Sequence, residues 1–326
     1  MRGFSLLEVV VAMSILSVLL ALLLAAVSSV SNLWIEGGRA LQTRERARAS
    51  LEFMTRELAG SVVDPRTAFV VAPGSILQDC GAPDVPAESH TVLAMAPVGK
   101  NGALRCVGFY LQRNEARQLC RLKRIYIRED DPNGFFPKVN EVPGKPGGTA
   151  KGLHTDPADA SWFTSNWDRK TFDDASLQSD GAVVSTVADG VVALWVQCLD
   201  LLGNPIPLLS ESRVHPRSRL VFNSASYFQM ATTTPFESGA SFVYLRKTPY
   251  VMKANRLPAA LEIRIVTVGD EILARGIRIP PQRNLTTTDG ALDLEKSVAA
   301  FLADLNLAGV QGSTVFSNRL RLASGS

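Results

Sequence analysis

Glu8 is the single charged side chain between Phe4 and Val30 of this 326-residue chain, and it closes the run Gly3-Phe4-Ser5-Leu6-Leu7-Glu8. A carboxylate within a membrane-length apolar run is costly, about 2.5 to 3.5 kcal/mol at the bilayer centre. A chain carries such a group where something later satisfies it. The nearest partner is an α-amino group on Phe4, which exists only if the chain is cut after Gly3. The chemistry these residues suit is therefore done to the chain: a peptide bond is cleaved and a new ammonium group meets the Glu8 carboxylate.

Other reactive residues give little. His90, His154 and His215 are scattered in loop-like contexts, and no Gly-x-Ser-x-Gly, HExxH or phosphate-loop pattern occurs. Glu129-Asp130-Asp131-Pro132-Asn133-Gly134 could offer oxygens to Ca²⁺, but it lacks the spaced ligands of a calcium loop and reads as an acidic turn. Asn284-Leu285-Thr286 fits a glycosylation sequon, a short pattern that implies only a surface loop if used. The four cysteines, Cys80, Cys106, Cys120 and Cys198, form no CxxC pair. Cys106 and Cys120 are symmetric about Arg113, so an odd-length hairpin loop centred there would place them opposite one another. A Cys106–Cys120 disulfide and two half-buried thiols both remain open. No catalytic residue, cofactor or metal site is expected, and the chain is not read as an enzyme.

The stretch Gly3-Phe4-Ser5-Leu6-Leu7-Glu8-Val9-Val10-Val11-Ala12 resembles the processing site of type IV prepilins and type II secretion pseudopilins. The resemblance implies cleavage after Gly3 by a prepilin peptidase, methylation of the new amino terminus on Phe4, and Glu8 as the pairing carboxylate during assembly. It also implies partners: other pilin or pseudopilin subunits through the first helix, an inner-membrane assembly platform, and the lipid bilayer. The leader, Met1-Arg2-Gly3, is shorter and less basic than is usual in that family. Arg46 to Leu58 resembles the helix end of large minor pilins and J-type minor pseudopilins. So does Val187-Ala188-Asp189-Gly190-Val191-Val192 followed later by a strand introduced by Leu257-Pro258.

These residues need elements to position them. Phe4 to Val30 is long enough to cross a bilayer, which takes about 20 apolar residues. With Arg2 and the initiator amine on the short side, the amino terminus stays cytoplasmic and the bulk of the chain is exported to the periplasm or cell surface. Gly37-Gly38 predicts a kink or local break. Beyond it, Ala47, Leu51, Met54 and Leu58 share one helix face, with Arg44, Glu45, Arg48, Glu52, Arg56 and Glu57 around the rest.

The head reads as β. Strands are predicted over 91–96, 106–112, 119–127, 190–199 and 260–268, with a hairpin turn over 113–116. A Pro-, Gly- and Asp-rich insertion occupies about 129–180, and Trp162, Phe163 and Trp167 in it are read as pinning the loop to the sheet, a partner-contact patch being the alternative. A terminal helix from Asp293 to Leu305 presents Leu294, Val298, Phe301, Leu302 and Leu305 to its own head. The tail from Arg319 is read as mobile. The expected fold class is α+β: a long hydrophobic amino-terminal α-helix packed as a stalk on a mainly antiparallel β-sheet head, pilin-like.

The expected organisation is a leader (1–3), a transmembrane and assembly helix (4–30), its amphipathic continuation (31–60), the head (61–290), and a terminal helix with tail (291–326). A net charge of +3 with interspersed signs gives no basic footprint for nucleic acid. Two other classes fit the same anchor. One is an exported binding protein whose first segment only targets or anchors it, with Ala26-Val27-Ser28 as a tolerable signal-peptidase site. The other is an exported enzyme whose site the sequence hides.

Overall fold

A computed structural model describes residues 6–63, 69–79, 84–98, 105–114, 119–128, 183–206, 222–224, 228–229, 251–252, 257–287 and 291–322. The chain forms two compact units, Met1–Glu45 and Arg46–Ser326. Helix α1 (Leu6–Ala59) contributes to both. Its assignment runs through Gly37-Gly38, so the expected break is corrected. Two glycines cost about 2 kcal/mol against alanine, too little to interrupt a helix with many turns on either side.

From Val10 to Ser31, within the first unit, α1 carries no charged side chain. Val10–Ser31 has a mean hydropathy of 2.9 and is long enough to cross a membrane. Its serines do not break the apolar surface. Ser14 and Ser17 donate to the carbonyls of Val11 and Met13 at 2.8 Å, and Ser29 donates to Ala25 at 3.0 Å. Hydroxyls returned to the helix backbone are satisfied without water.

The second unit is built on antiparallel sheets. Strands β1 (Val70–Pro73), β2 (His90–Ala96), β3 (Arg105–Asn114), β4 (Leu119–Arg128), β5 (Val183–Asp189) and β7 (Phe222–Asn223) form one sheet in the order β5-β4-β3-β2-β1-β7. Strands β6 (Val191–Leu199), β10 (Ala260–Thr267) and β11 (Thr314–Arg321) form a second, ordered β11-β10-β6. β8 (Phe228–Gln229) and β9 (Val251–Met252) pair separately. Short helices α2 (Gly74–Asp79) and α3 (Asp270–Ala274) and the longer α4 (Leu294–Leu307) complete the unit.

Period-two alternation puts Val92, Ala94, Val107, Phe109, Leu111 and Leu122 in one cluster with Ala47, Leu51, Met54 and Leu58 of α1. The helix face read from spacing is thus the face that is buried. β6 is buried along its whole length. Leu194, Val196 and Cys198 enter that first cluster. Val192, Ala193 and Trp195 enter a second one with Val298, Phe301 and Leu305 of α4. Trp195 meets Phe301 edge-on, ring centroids 5.7 Å apart. The terminal helix therefore packs on its own unit.

The Val187–Val192 phrase is two strands in two sheets. Gly190 is the single residue between β5 and β6, and its φ of 76° lets the chain change sheets there. A second correction concerns the tail: Arg319 and its neighbours are part of β11, paired with β10 over the full register from Ala260↔Arg321 to Thr267↔Thr314. Leu320 packs against the first cluster and Leu322 is buried within it, which anchors a segment too polar to stand out by composition.

Among the described residues no strand flanks β6 on the side away from β10, and side chains take that place. Leu194 N–H donates to Gln282 Oε1 at 3.0 Å, and Gln282 Nε2 donates back to the Leu194 carbonyl at 3.0 Å. His90 Nδ1 lies 2.9 Å from the Val196 carbonyl and 3.1 Å from its nitrogen. Arg113 Nη2 donates to the Val192 carbonyl at 3.4 Å. Val192, Leu194 and Val196, alternate residues of the strand, thus meet side chains where a neighbouring strand would stand, and the Cys198 carbonyl accepts from the Ile206 N–H.

Candidate functional site

Gly3 and Phe4 lie outside the described residues. Glu8 is the third residue of α1, two residues ahead of the apolar span Val10–Ser31; its side chain is outside the described residues. A carboxylate in the first turn of a helix is favoured by the amino-terminal end of the helix dipole. From Leu6 to Val30 the large apolar side chains described are exposed, as are Trp34, Ile35 and Leu41. A helix apolar on every side has no stable place in water, and calls for lipid or a bundle of similar helices.

Within the head, α1 is fixed by a charge clasp. Arg124 of β4 donates through Nε to Glu57 Oε2 at 2.7 Å and through Nη2 to Oε1 at 2.5 Å. The side chains are 9% exposed for Glu57 and 17% for Arg124, so the pair is well shielded. The guanidinium also stacks 4.5 Å from the Tyr126 ring centroid and 5.5 Å from that of Phe53. Spacing placed Glu57 off the apolar face of the helix, and the structure shows that it is buried nonetheless. Its cross-sheet partner lies 67 residues away, beyond the reach of a local pattern.

Of the two readings left open for Cys106 and Cys120, the strand register bears on the bridge. β3 and β4 pair Cys106 with Ile127 and Arg113 with Cys120. The hairpin closes between Asn114 and Leu119, beyond Arg113, so the symmetry about Arg113 is not the register. Cys106, Cys120 and Cys198 are all buried. Burial pushes the Cys106 thiol up to about 12 and raises that of Cys198 as well. Such thiols carry almost no thiolate at neutral pH and are inert as nucleophiles. Cys80, His154, His215, the 129–134 turn and the insertion with Trp162, Phe163 and Trp167 lie outside the described residues.

Among the described residues, no three His, Cys, Asp or Glu side chains gather to hold a metal. The open groove between α1 and β5 is lined by Arg46, Ser50, Glu52, Phe53 and Arg56 with Ser185 to Asp189 of the strand; its carboxylates Glu52 and Asp189 pair with Arg48 and Arg121, and the Ser50 hydroxyl donates to the Arg46 carbonyl. Arg113, expected in the turn, instead reaches inward and donates to the Ile279 carbonyl at 3.2 Å.

No curated protein matches the chain. Residues 1–24 match the family model of the prokaryotic N-terminal methylation motif. That motif marks pilin-type structural subunits, which are not enzymes, so the chain carries at its amino terminus the signature of pilin-type processing and methylation, ahead of a helix able to anchor it in a membrane.

Proposed function

We propose that the chain is a minor pilin or minor pseudopilin, a structural subunit of a type IV pilus or type II secretion pseudopilus. The observation that carries this is the methylation motif over residues 1–24, which overlaps the exposed apolar span Val10–Ser31. Prepilin peptidase cuts after Gly3, and Phe4 becomes the methylated amino terminus. The subunit waits in the cytoplasmic membrane with its amino terminus inside and its head exported. It then leaves the bilayer by packing its helix against those of other subunits on the assembly platform. Glu8 favours that arrangement because an unpaired buried carboxylate costs several kcal/mol, which an ammonium group offsets. The amine is supplied by a neighbouring subunit, or by the same chain one helical turn away. The large head suits a low-copy tip or initiation subunit, and the resemblances at Arg46–Leu58 and Val187–Val192 favour the J-type or large minor pilin branch.

Intact-mass measurement of the membrane-extracted protein tests the reading. Loss of Met1 to Gly3 with gain of one methyl group is expected. Cleavage near Ser28, or no cleavage, overturns it. Glu8→Ala should leave insertion and trimming intact and lower incorporation into filaments at least about tenfold, the factor corresponding to 1.4 kcal/mol. Unchanged incorporation removes Glu8 from the mechanism.

A further inference from the structure

The turn after β6 carries two leucines that the fold does not use. Leu201 and Leu202 are each 86% exposed, in a setting where Gly, Pro, Asn, Asp and Ser are the usual residues. The turn around them is stiff. One oxygen of Asp200 accepts from the Leu202 N–H at 2.9 Å and the Asn204 N–H at 2.7 Å, and the other accepts from Asn204 Nδ2 at 3.3 Å. Asp200 N–H donates to the Asn204 carbonyl at 2.9 Å, and Gly203 N–H to the Asp200 carbonyl at 3.0 Å. Gly203 holds a φ of 83°. Arg319 crowds it, since a Cβ there would sit 2.8 Å from the guanidinium. The Leu199↔Pro205 bridge and the bond from Ile206 N–H to the Cys198 carbonyl tie the loop back to β6. The leucine pair is thus held on a fixed scaffold, and little ordering remains to be done when a partner arrives.

Charge says what kind of partner fits. Arg319 and Arg321 of β11 are exposed beside the turn and make no ion pair among the described residues. The acid within the turn, Asp200, is spent on three hydrogen bonds. The patch is therefore an apolar pair with a positive rim. Exposed apolar groups with polar rims mark interaction sites, and complementary charge selects the partner. We infer that the Asp200–Asn204 turn is a docking knob for the head of another pilin-type subunit, one that offers an apolar cleft edged by carboxylates. The class of partner rests on the function proposed above. A lipid surface fits less well, because the chain already holds a 22-residue apolar span, to whose membrane affinity two leucines add little.

The test uses the full-length chain in cells that assemble the filament. The photo-crosslinking residue benzoylphenylalanine replaces Leu202 in one variant and Ala21 of α1 in another. Leu202 is expected to give an adduct with a different polypeptide, shown by mass spectrometry to carry its own amino-terminal methylation motif. Adding Arg319→Glu with Arg321→Glu should lower that adduct about tenfold, as expected when a complementary rim is reversed. Arg319→Gln with Arg321→Gln, which removes charge without reversing it, should lower it less. Equal yield from all three forms overturns the charge match. Adducts at Leu202 only with lipid, only with a second copy, or none at all, while Ala21 still captures pilin-type subunits, overturn the knob and leave the proposed function standing. Failure of Ala21 to capture any pilin-type subunit overturns the proposed function, and the partner class with it.

Discussion

Glu57→Ala is expected to cost the head about 3 to 5 kcal/mol, the range for removing one partner of a buried ion pair. The loss falls on Arg124. Its guanidinium makes two hydrogen bonds to Glu57 and is only 17% exposed, so alanine leaves a charge that water cannot fully reach. The aromatic rings of Tyr126 and Phe53 stay in place and return only about 0.5 to 2 kcal/mol by cation–π attraction. Glu57→Leu combined with Arg124→Met should recover most of the loss, because a well-packed apolar pair is often as stable as the ions it replaces. Urea unfolding of the full chain in detergent micelles, followed through Trp195 fluorescence, reads both. If the double variant is as unstable as the single one, the clasp acts through shape and the electrostatic account fails. The clasp also bears on function, since Glu57 belongs to the helix and Arg124 to the sheet.

The architecture was legible where one residue's surroundings follow from its near neighbours. Ala47, Leu51, Met54 and Leu58 declared a helix face by spacing alone, and all four are in the core. The β3 and β4 segments, the β10 alternation of Leu261, Ile263 and Ile265, and the terminal helix face at Val298 and Phe301 were equally plain. β11 was not. Its sequence Thr314–Arg321 reads TVFSNRLR, with inward Phe316 and Leu320 separated by Asn318, and only pairing with β10 reveals a strand. The change of sheet at Gly190 was hidden because two apolar strands one residue apart look like one.

The site divides in the same way. The amino-terminal signature is a contiguous motif, so residues alone carried it. The Glu57–Arg124 clasp, the Gln282 and His90 plugs along β6 and the Leu201-Leu202 turn join positions distant in sequence or depend on exposure. The Leu201-Leu202 pair had one available signal, two leucines beside Gly203-Asn204-Pro205 where polar residues belong, but the predicted strand stops at 199 and spacing says nothing of exposure. Cys106 and Cys120 were left open between a bridge and two thiols because spacing alone does not give register; register is set by where apolar alternation meets the core, and that pairs Cys106 with Ile127.

His90 should make the head acid-labile. Burial pulls its imidazole from 6.5 to about 4, against the smaller opposing pull of the Val196 carbonyl, an acceptor for the ring. A base whose folded pKa is depressed contributes stability that is complete above its unfolded pKa and is lost as pH falls through the folded one. From pH 6.5 down to about 4, this one group should therefore remove about 3 kcal/mol of unfolding free energy. The location explains the size. His90 Nδ1 lies within hydrogen-bonding distance of both backbone groups of Val196, on a strand buried along its length. A proton there puts a charge into the seam between the two sheets and leaves no nitrogen to accept from Val196 N–H. His90→Gln keeps a donor and an acceptor but cannot titrate, so its stability should fall about 3 kcal/mol less than that of the parent over the same interval. Urea midpoints of both proteins at pH 7, 5.5 and 4 decide it. Parallel pH profiles would mean that the imidazole keeps its ordinary affinity for protons in the fold, and that the acid sensitivity of the seam belongs to other groups.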